Sequence, residues 1–325
     1  MTKERPSAEE SQGLSCETAI ERTRKEVDRI LSTSPLIIRE FTRHLSQAPG
    51  KYIRAAALLV SAQDRQDRVP EDAVKVAAAV EILHLATLVH DDVIDNADLR
   101  RGLPTLQRKY GAKTAVICGD YLLSVAMNLA ASVSRKDDWL AMKLPGYMGR
   151  LSLGELNQHI NNGNYHLSVT QYLKIISGKT AALFEASFLA GAVLAGEPEE
   201  YHRKFARLGR YVGMIFQLTD DCMDFEASRQ VANKPVQSDY EQDVITLPLI
   251  HAFNTVGGLR ERAGESRLER DDLNRVVQQS GGLAFTRALA RKYHRKAALL
   301  LAGLPVSPGK RSGLEQILET SYRVF

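Results

Sequence analysis

Apolar residues recur at helical spacing in segment after segment of this chain, whereas sustained strict alternation, the mark of half-buried strands, is hard to find. The pattern predicts an all-α protein. Helices are expected near residues 16–32, 36–47, 52–63, 71–92, 111–134, 138–161, 168–195, 199–226, 244–255, 270–279, 282–302 and 311–322. Gly, Pro and Asn interrupt the periodicity at Ser32–Pro35, Gln47–Lys51, Asp67–Asp72, Asn161–Asn164 and Gly196–Glu200. None of these breaks resembles a flexible linker, and no solenoid period is present. A single helical domain over 1–325 follows, with a flexible polar terminus over 1–15. Segments 71–92 and 199–226 carry few charges until each reaches a group of aspartates, which marks them as central helices.

At 325 residues and 44% hydrophobic composition the chain can bury a sizeable core. Its 43 basic and 39 acidic residues leave a net charge of +4, a balance that calls for neither a nucleic-acid footprint nor a polybasic membrane anchor. Any anionic ligand must therefore be held by local charge. Cys16, Cys118 and Cys222 are odd in number, far apart and without a CxxC pair, which fits a reduced, cytoplasmic protein. The polar N-terminus lacks a signal-peptide core, and no segment offers an uninterrupted apolar span of membrane length. Membrane contact is expected to be peripheral at most.

The chemistry concentrates in one pattern that occurs twice, Asp-Asp-x-x-Asp at Asp91, Asp92 and Asp95 and again at Asp220, Asp221 and Asp224. Residues i and i+4 share a helix face with side chains roughly 5–6 Å apart, so Asp91 pairs with Asp95 and Asp220 with Asp224. Like charges so placed repel, and an apolar approach adds desolvation, so a cation should compensate. One such motif alone could be a solvated acidic helix end. Two copies, each preceded by an apolar run ("EILHLATLV" and "YVGMIFQLT"), point instead to two carboxylate clusters for magnesium. Magnesium so held takes phosphate oxygens as further ligands, and candidate phosphate grips are Lys51, Arg54, Arg100, Arg101, Lys179 and Lys234. Each alone is more often surface charge. Glu81 and His84 also match the Glu-x-x-His pattern of di-iron bundles, but the second pair that chemistry needs is missing, since Glu155 and His159 are wrongly spaced. A lone His84 on an apolar helix is more often a core residue, although it lies two turns before Asp91 and can face the same cavity.

In chain order the motifs "GKYIR" (Gly50–Arg54), "HLATLVHDDVIDNADLRRGLPT" (His84–Thr105), "GKTAALF" (Gly178–Phe184), "FQLTDDCMDF" (Phe216–Phe225), "KPVQSD" (Lys234–Asp239) and "TLPLI" (Thr246–Ile250) resemble those of the trans-type isoprenyl diphosphate synthases, or polyprenyl synthetases. The resemblance implies an all-helical bundle around a deep central cavity, with the two aspartate clusters on opposite walls. It implies condensation of an allylic diphosphate with isopentenyl diphosphate. Asp91, Asp92, Asp95, Asp220 and Asp224 would hold about three magnesium ions, and Arg100, Lys179 and Lys234 would help grip the allylic diphosphate. Lys51, Arg54, His84 and Arg101 would hold isopentenyl diphosphate. Thr180 and Gln217 would join Lys179 and Lys234 as catalytic residues, their oxygen dipoles stabilising an allylic cation.

In the family, bulky aromatics just before the first aspartate cluster shorten the product, and Ala86 and Thr87 occupy those places here. A long-chain product of about C30–C50 is expected, since each added unit needs more apolar length. The small residues of Gly119–Ala130 agree, with Tyr121 an obstacle if it points inward. The resemblance also implies a homodimer, or assembly with a heteromeric partner subunit. Three positions depart from the family pattern: Gln237 stands where glycine is common, and Asp243 and Val244 replace Gly-Lys, which removes a lysine that would reach the allylic diphosphate. Competing functions are a shorter-chain farnesyl or geranylgeranyl diphosphate synthase, a class I terpene cyclase, and a non-catalytic partner subunit. The second Asp-Asp-x-x-Asp, "GKYIR" and "LRRG" favour condensation.

Overall fold

Ser15 accepts a hydrogen bond from the Thr18 N–H and so caps α1 (Cys16–Ser32). Leu14 exchanges backbone hydrogen bonds of 2.9 and 2.8 Å with Val69, so residues 13–15, expected in a flexible terminus, are tied down instead. The structure is a computed structural model and describes residues 13–48, 50–226 and 238–322. The chain continues through α2 (Arg39–Ser46), α3 (Ile53–Ser61), α4 (Glu71–Ile94), α5 (Leu106–Tyr110), α6 (Ala112–Ala131), α7 (Lys136–Met142), α8 (Leu144–Ile160) and α9 (Val169–Lys179). Then follow α10 (Ala181–Leu194), α11 (Glu199–Glu226), α12 (Ser238–Glu241), α13 (Leu247–Thr255), α14 (Leu259–Glu265), α15 (Arg270–Gln279), α16 (Gly282–Ala302) and α17 (Pro308–Tyr322). The fold is all-α, as expected. The described strands are one antiparallel hairpin of two-residue strands, β1 (Leu99–Arg100) and β2 (Leu103–Pro104).

The boundaries differ from expectation where breaks leave no mark on periodicity. The stretch 168–195 splits at Thr180, between α9 and α10, although apolar spacing runs through it. The stretch 138–161 splits at Lys143, which takes a left-handed φ of 54°. Helices α5, α12 and α14 are too short for a periodic pattern to reveal.

Both 71–92 and 199–226 were expected to be central, and the outcome separates them. α4 is apolar on nearly all faces and mostly buried. α11 buries one side, through Phe205, Leu208, Val212 and Ile215, and exposes Arg203, Lys204 and Arg210 on the other. The most enclosed helix is α10, which packs against α3, α4 and α11 and buries almost every residue from Ala181 to Val193. Its contact with α11 is backbone-close, because a Cβ on Gly213 would stand 2.5 Å from the Ala181 Cα.

By length and composition α4 and α6 are apolar enough to cross a membrane, although charges interrupt each of them, Lys75 and Glu81 in α4 and Lys113 and Asp120 in α6. The physical reason for α4 is its place in the core, with 67% of the qualifying window buried. Only 33% of the corresponding α6 window is buried, and its outer face shows Val116 and Ile117.

Lys310 on α17 is only 1% exposed. Its Nζ donates to Glu197 Oε1 at 2.6 Å and to the Gln63 carbonyl at 2.9 Å, and it lies 4.8 Å from the Phe205 ring centroid. This ion pair fastens α17 to the ends of α3 and α10.

Candidate functional site

The first aspartate cluster closes α4. Asp91 and Asp92 lie in its last turn and Asp95 at its C-cap, with no basic residue in that turn to meet the negative helix end. Burial, then Glu155 and Asp95, push the Asp91 carboxyl up to about 7, with Lys179 and Arg100 opposing. Asp92 is also raised by burial, but Arg100 places Nε and Nη2 each 2.6 Å from its Oδ1. The hairpin arranges this. Arg101 (φ 52°) and Gly102 (φ 80°) are both left-handed, as a type I′ turn requires, so the neighbouring arginines diverge. Arg100 reaches Asp92, and Arg101 donates from Nη1 to the Ala48 carbonyl at 2.6 Å. A non-glycine residue in that conformation costs about 1–2 kcal/mol, a strain placed where the side chain is needed.

The second cluster ends α11. Asp220 and Asp224 are partly exposed, whereas Asp221 is 1% exposed and committed to internal partners. It accepts hydrogen bonds from the Tyr172 hydroxyl and from Gln217 Nε2 at 2.9 Å, and its pKa still rises to about 6 because burial outweighs them. Gln217 Oε1 in turn accepts from Thr180 Oγ1 at 2.7 Å. Thr180, Gln217, Asp221 and Tyr172 thus form one hydrogen-bonded chain that sets the Gln217 amide. Asp239 on α12 adds a carboxylate here, its pKa raised by burial and then by Asp224, while Lys179 pulls it down.

Lys179 connects the two clusters electrostatically, since it opposes the shifts of both Asp91 and Asp239. It ends α9 at a crossing with α8 so close that a Cβ on Gly154 would stand 2.3 Å from the Lys179 amide nitrogen. That approach lets Nζ donate to Glu155 Oε1 at 2.8 Å. The break at Thr180 ends α9 directly after Lys179, so Lys179 and Thr180 stand together at the junction with α10.

A separate basic group lies beside α4. Arg54 Nη1 donates to His84 Nε2 at 3.2 Å, which assigns the ring proton to Nδ1. Burial, with Arg54 and Arg101 nearby, holds the His84 pKa well below its ordinary value and keeps the ring neutral. The Arg54 guanidinium lies 4.8 Å from the Phe184 ring centroid, and its buried Nε finds no partner among the described residues. Lys51 is exposed. Of the length-determining candidates, Ala86 is fully buried, whereas Thr87 is partly exposed and donates to the His84 carbonyl at 2.8 Å. Lys234 and Gln237 lie outside the described residues.

Sequence reasoning missed Glu81, Glu155, Tyr172 and Asp239 as members of this neighbourhood, and it left Asp221 out of the metal set without assigning it a role. The only available signal for Asp221 was its position between the i, i+4 pair, which turns it to another face. The donor set fits magnesium, which prefers oxygen and takes one or two carboxylates with phosphate oxygens and water. Among the described residues no three His, Cys, Asp or Glu side chains converge closely enough to hold an ion by themselves.

Two carboxylate clusters linked by one lysine, with a second basic group beside them, sit together in an all-α fold. The chain belongs to the polyprenyl synthetase family, whose model, described as Polyprenyl synthetase, matches residues 35–279. It is 34% identical over 292 residues to the heptaprenyl diphosphate synthase component 2 of Geobacillus stearothermophilus, covering 88% of this chain and 90% of that protein. Heptaprenyl diphosphate synthase from Staphylococcus aureus superposes with a TM-score of 0.87 at 28% identity, over 96% of this chain and 99% of that one. A polyprenyl synthase from Caulobacter crescentus CB15, complexed with calcium and isoprenyl diphosphate, superposes with a TM-score of 0.85 at 30% identity, over 95% of each chain.

Proposed function

We propose that this chain is a trans-polyprenyl diphosphate synthase that condenses isopentenyl diphosphate with an allylic diphosphate to a long-chain, all-trans product of about C30–C50. The observation that supports this is a pair of separate charged groups, each suited to one diphosphate: the carboxylate clusters around Lys179, and the basic group of Arg54, His84 and Arg101 with Lys51 close in sequence. A cyclase needs only the first.

The allylic carbon–oxygen bond breaks, the double bond of isopentenyl diphosphate forms the new carbon–carbon bond at that allylic carbon, and a proton leaves to the released diphosphate. Magnesium, about three ions held by Asp91, Asp92, Asp95, Asp220 and Asp224, would neutralise the departing diphosphate. Asp239 is a further oxygen donor beside them, and the same divalent chemistry agrees with the calcium described for the Caulobacter protein. Arg100, Lys179 and Lys234 hold the leaving diphosphate, and Lys51, Arg54, His84 and Arg101 hold the other. The Gln217 amide, fixed by Asp221, and Thr180 place oxygen dipoles near the transient cation. The apolar length of α4 keeps water from it.

The test is incubation of purified protein with magnesium, labelled isopentenyl diphosphate and farnesyl or geranylgeranyl diphosphate, followed by sizing of the prenyl products. A cyclic hydrocarbon would instead indicate a cyclase. No incorporation with any primer would indicate a non-catalytic partner subunit, a reading favoured by the absent lysine at Val244; the relatives named as component 2 of a heptaprenyl synthase bear on assembly with a second subunit. Co-purification of a second subunit that restores activity would then be expected.

Product length tests the floor of the cavity. Thr87 shares a helix face with His84 and Asp91, so Thr87→Phe is expected to shorten the product by several units. Ala86→Phe should shorten it as well, but must also overpack the core, at about 1–3 kcal/mol in unfolding measurements. Unchanged chromatographic product lengths for both variants would remove these residues from that role.

We place the protein in the cytoplasm as a single domain and a homodimer, with membrane contact at most peripheral. The dimer surface is assigned to α6 and α8, which expose Val116 at 40%, Ile117 at 65%, Leu153 at 67% and Ile160 at 71%. Ile117→Asp combined with Leu153→Asp should shift the chain to a monomer in sedimentation measurements. A mass unaffected by both charges would place the interface elsewhere.

A further inference from the structure

The condensation itself makes no use of Glu81, yet this carboxylate is only 9% exposed in the middle of α4. Its Oε1 accepts the Ala55 N–H at 2.9 Å. Ala55 belongs to the first turn of α3, whose amide donors have no intrahelical acceptor. The residue before α3, Tyr52, is left-handed at φ 54° and supplies no side-chain cap. Glu81 therefore caps α3 from a neighbouring helix and fixes the turn that carries Arg54.

The other carboxylate oxygen points to the same assembly. From the place a Cβ on Gly50 would occupy, Glu81 Oε2 is 3.7 Å away and Arg101 Nη2 is 3.6 Å away. Burial raises the Glu81 pKa, while the Ala55 N–H, Arg54 and Arg101 pull it down in that order. In return Glu81 helps keep Arg54 and Arg101 charged against burial. One turn further along α4, His84 accepts from Arg54. Glu81 thus adjoins three of the residues assigned to isopentenyl diphosphate without belonging to that set.

We propose that Glu81 is a positioning residue for the isopentenyl diphosphate subsite, anchoring the start of α3 and aligning Arg54 and Arg101 toward the diphosphate without touching it. This rests on the assignment of that subsite to Lys51, Arg54, His84 and Arg101. Two opposite outcomes separate alignment from simple charge. Glu81→Gln keeps an acceptor for Ala55 but removes one negative charge beside an anion site, which alone would tighten diphosphate binding. Lost alignment loosens it.

The expected result for Glu81→Gln is a KM for isopentenyl diphosphate raised about tenfold or more, with the KM for the allylic diphosphate changed by less than about twofold. In an Arg101→Ala background the same substitution should have a much smaller effect, because Glu81 acts through that side chain. If Glu81→Gln does not fold, Glu81→Asp, which keeps the charge and shortens its reach, carries the same comparison. A KM for isopentenyl diphosphate that stays the same or falls, equal rises in both KM values, or full additivity with Arg101→Ala overturns the positioning role. An unmutated chain that incorporates no isopentenyl diphosphate with any primer overturns the function beneath it, and is recognised before any variant is made.

Discussion

Asp91→Asn is expected to lower kcat by roughly 10³-fold, about 4 kcal/mol in the barrier, while raising the thermal stability of the metal-free protein. The two effects share one cause. Burial and the neighbouring Glu155 and Asp95 lift the Asp91 pKa to about 7, so its ionised form is unfavourable in the folded chain. Its folded pKa lies above that of an unfolded aspartate, so stability is greatest at low pH and declines as pH rises through 7; a neutral asparagine removes that decline. Asn also cannot supply the anionic oxygen a magnesium–diphosphate complex requires. Asp220→Asn should match the loss of kcat. Asp92→Asn should differ in kind, because Asp92 is held by Arg100 and its loss frees that arginine as well. The measurement is kcat against magnesium concentration beside a thermal melt without metal. Near-normal kcat for Asp91→Asn at saturating magnesium would remove Asp91 from the metal set.

The largest expected change in stability comes from a residue with no part in the chemistry. Lys310→Met should destabilise the fold by about 1–3 kcal/mol, since it leaves the half-buried Glu197 without its counter-charge. The Gln63 carbonyl also loses its donor, and the Phe205 ring its cation. A loss of this size is a large share of the ~5–15 kcal/mol that holds a typical domain folded. Urea unfolding with a second variant separates the contributions. Lys310→Met with Glu197→Gln should recover much of the loss, because the uncompensated charge has gone. A decrease below about 1 kcal/mol for Lys310→Met alone would show that water reaches Glu197 and screens it.

The all-α class and the longer helices were legible because apolar period survives at their length, and α1 was read from 16 to 32 as it stands in the structure. The break at Thr180 was not, because both flanking segments bury apolar residues in continuous phase. The paired motifs showed which aspartates share a face, and Asp221 turns away as that spacing requires. What could not be read was distance across the fold. Glu155 sits in "GELNQ", which looks like any polar helix surface, and only the α8–α9 crossing brings it to Lys179. Glu81 was visible only as half of a di-iron pattern. Asp243, which stands where the resemblance expects glycine, has a left-handed φ of 61°, so the departure seen in the sequence puts a side chain at a position that favours glycine, beside the lysine lost at Val244.

The crossing at Gly154 has a mechanical side. Cβ positions there would fall 2.3 Å from one backbone atom and, at Gly178, 2.9 Å from another, so main chain rests on main chain with no rotamer between them to yield. Main-chain contact between the two helices sets the root of Lys179 against α8. The four-carbon stem of Lys179 extends from that fixed root to Glu155. The wall formed by α8 and α9 is thus the anvil against which that side chain is set.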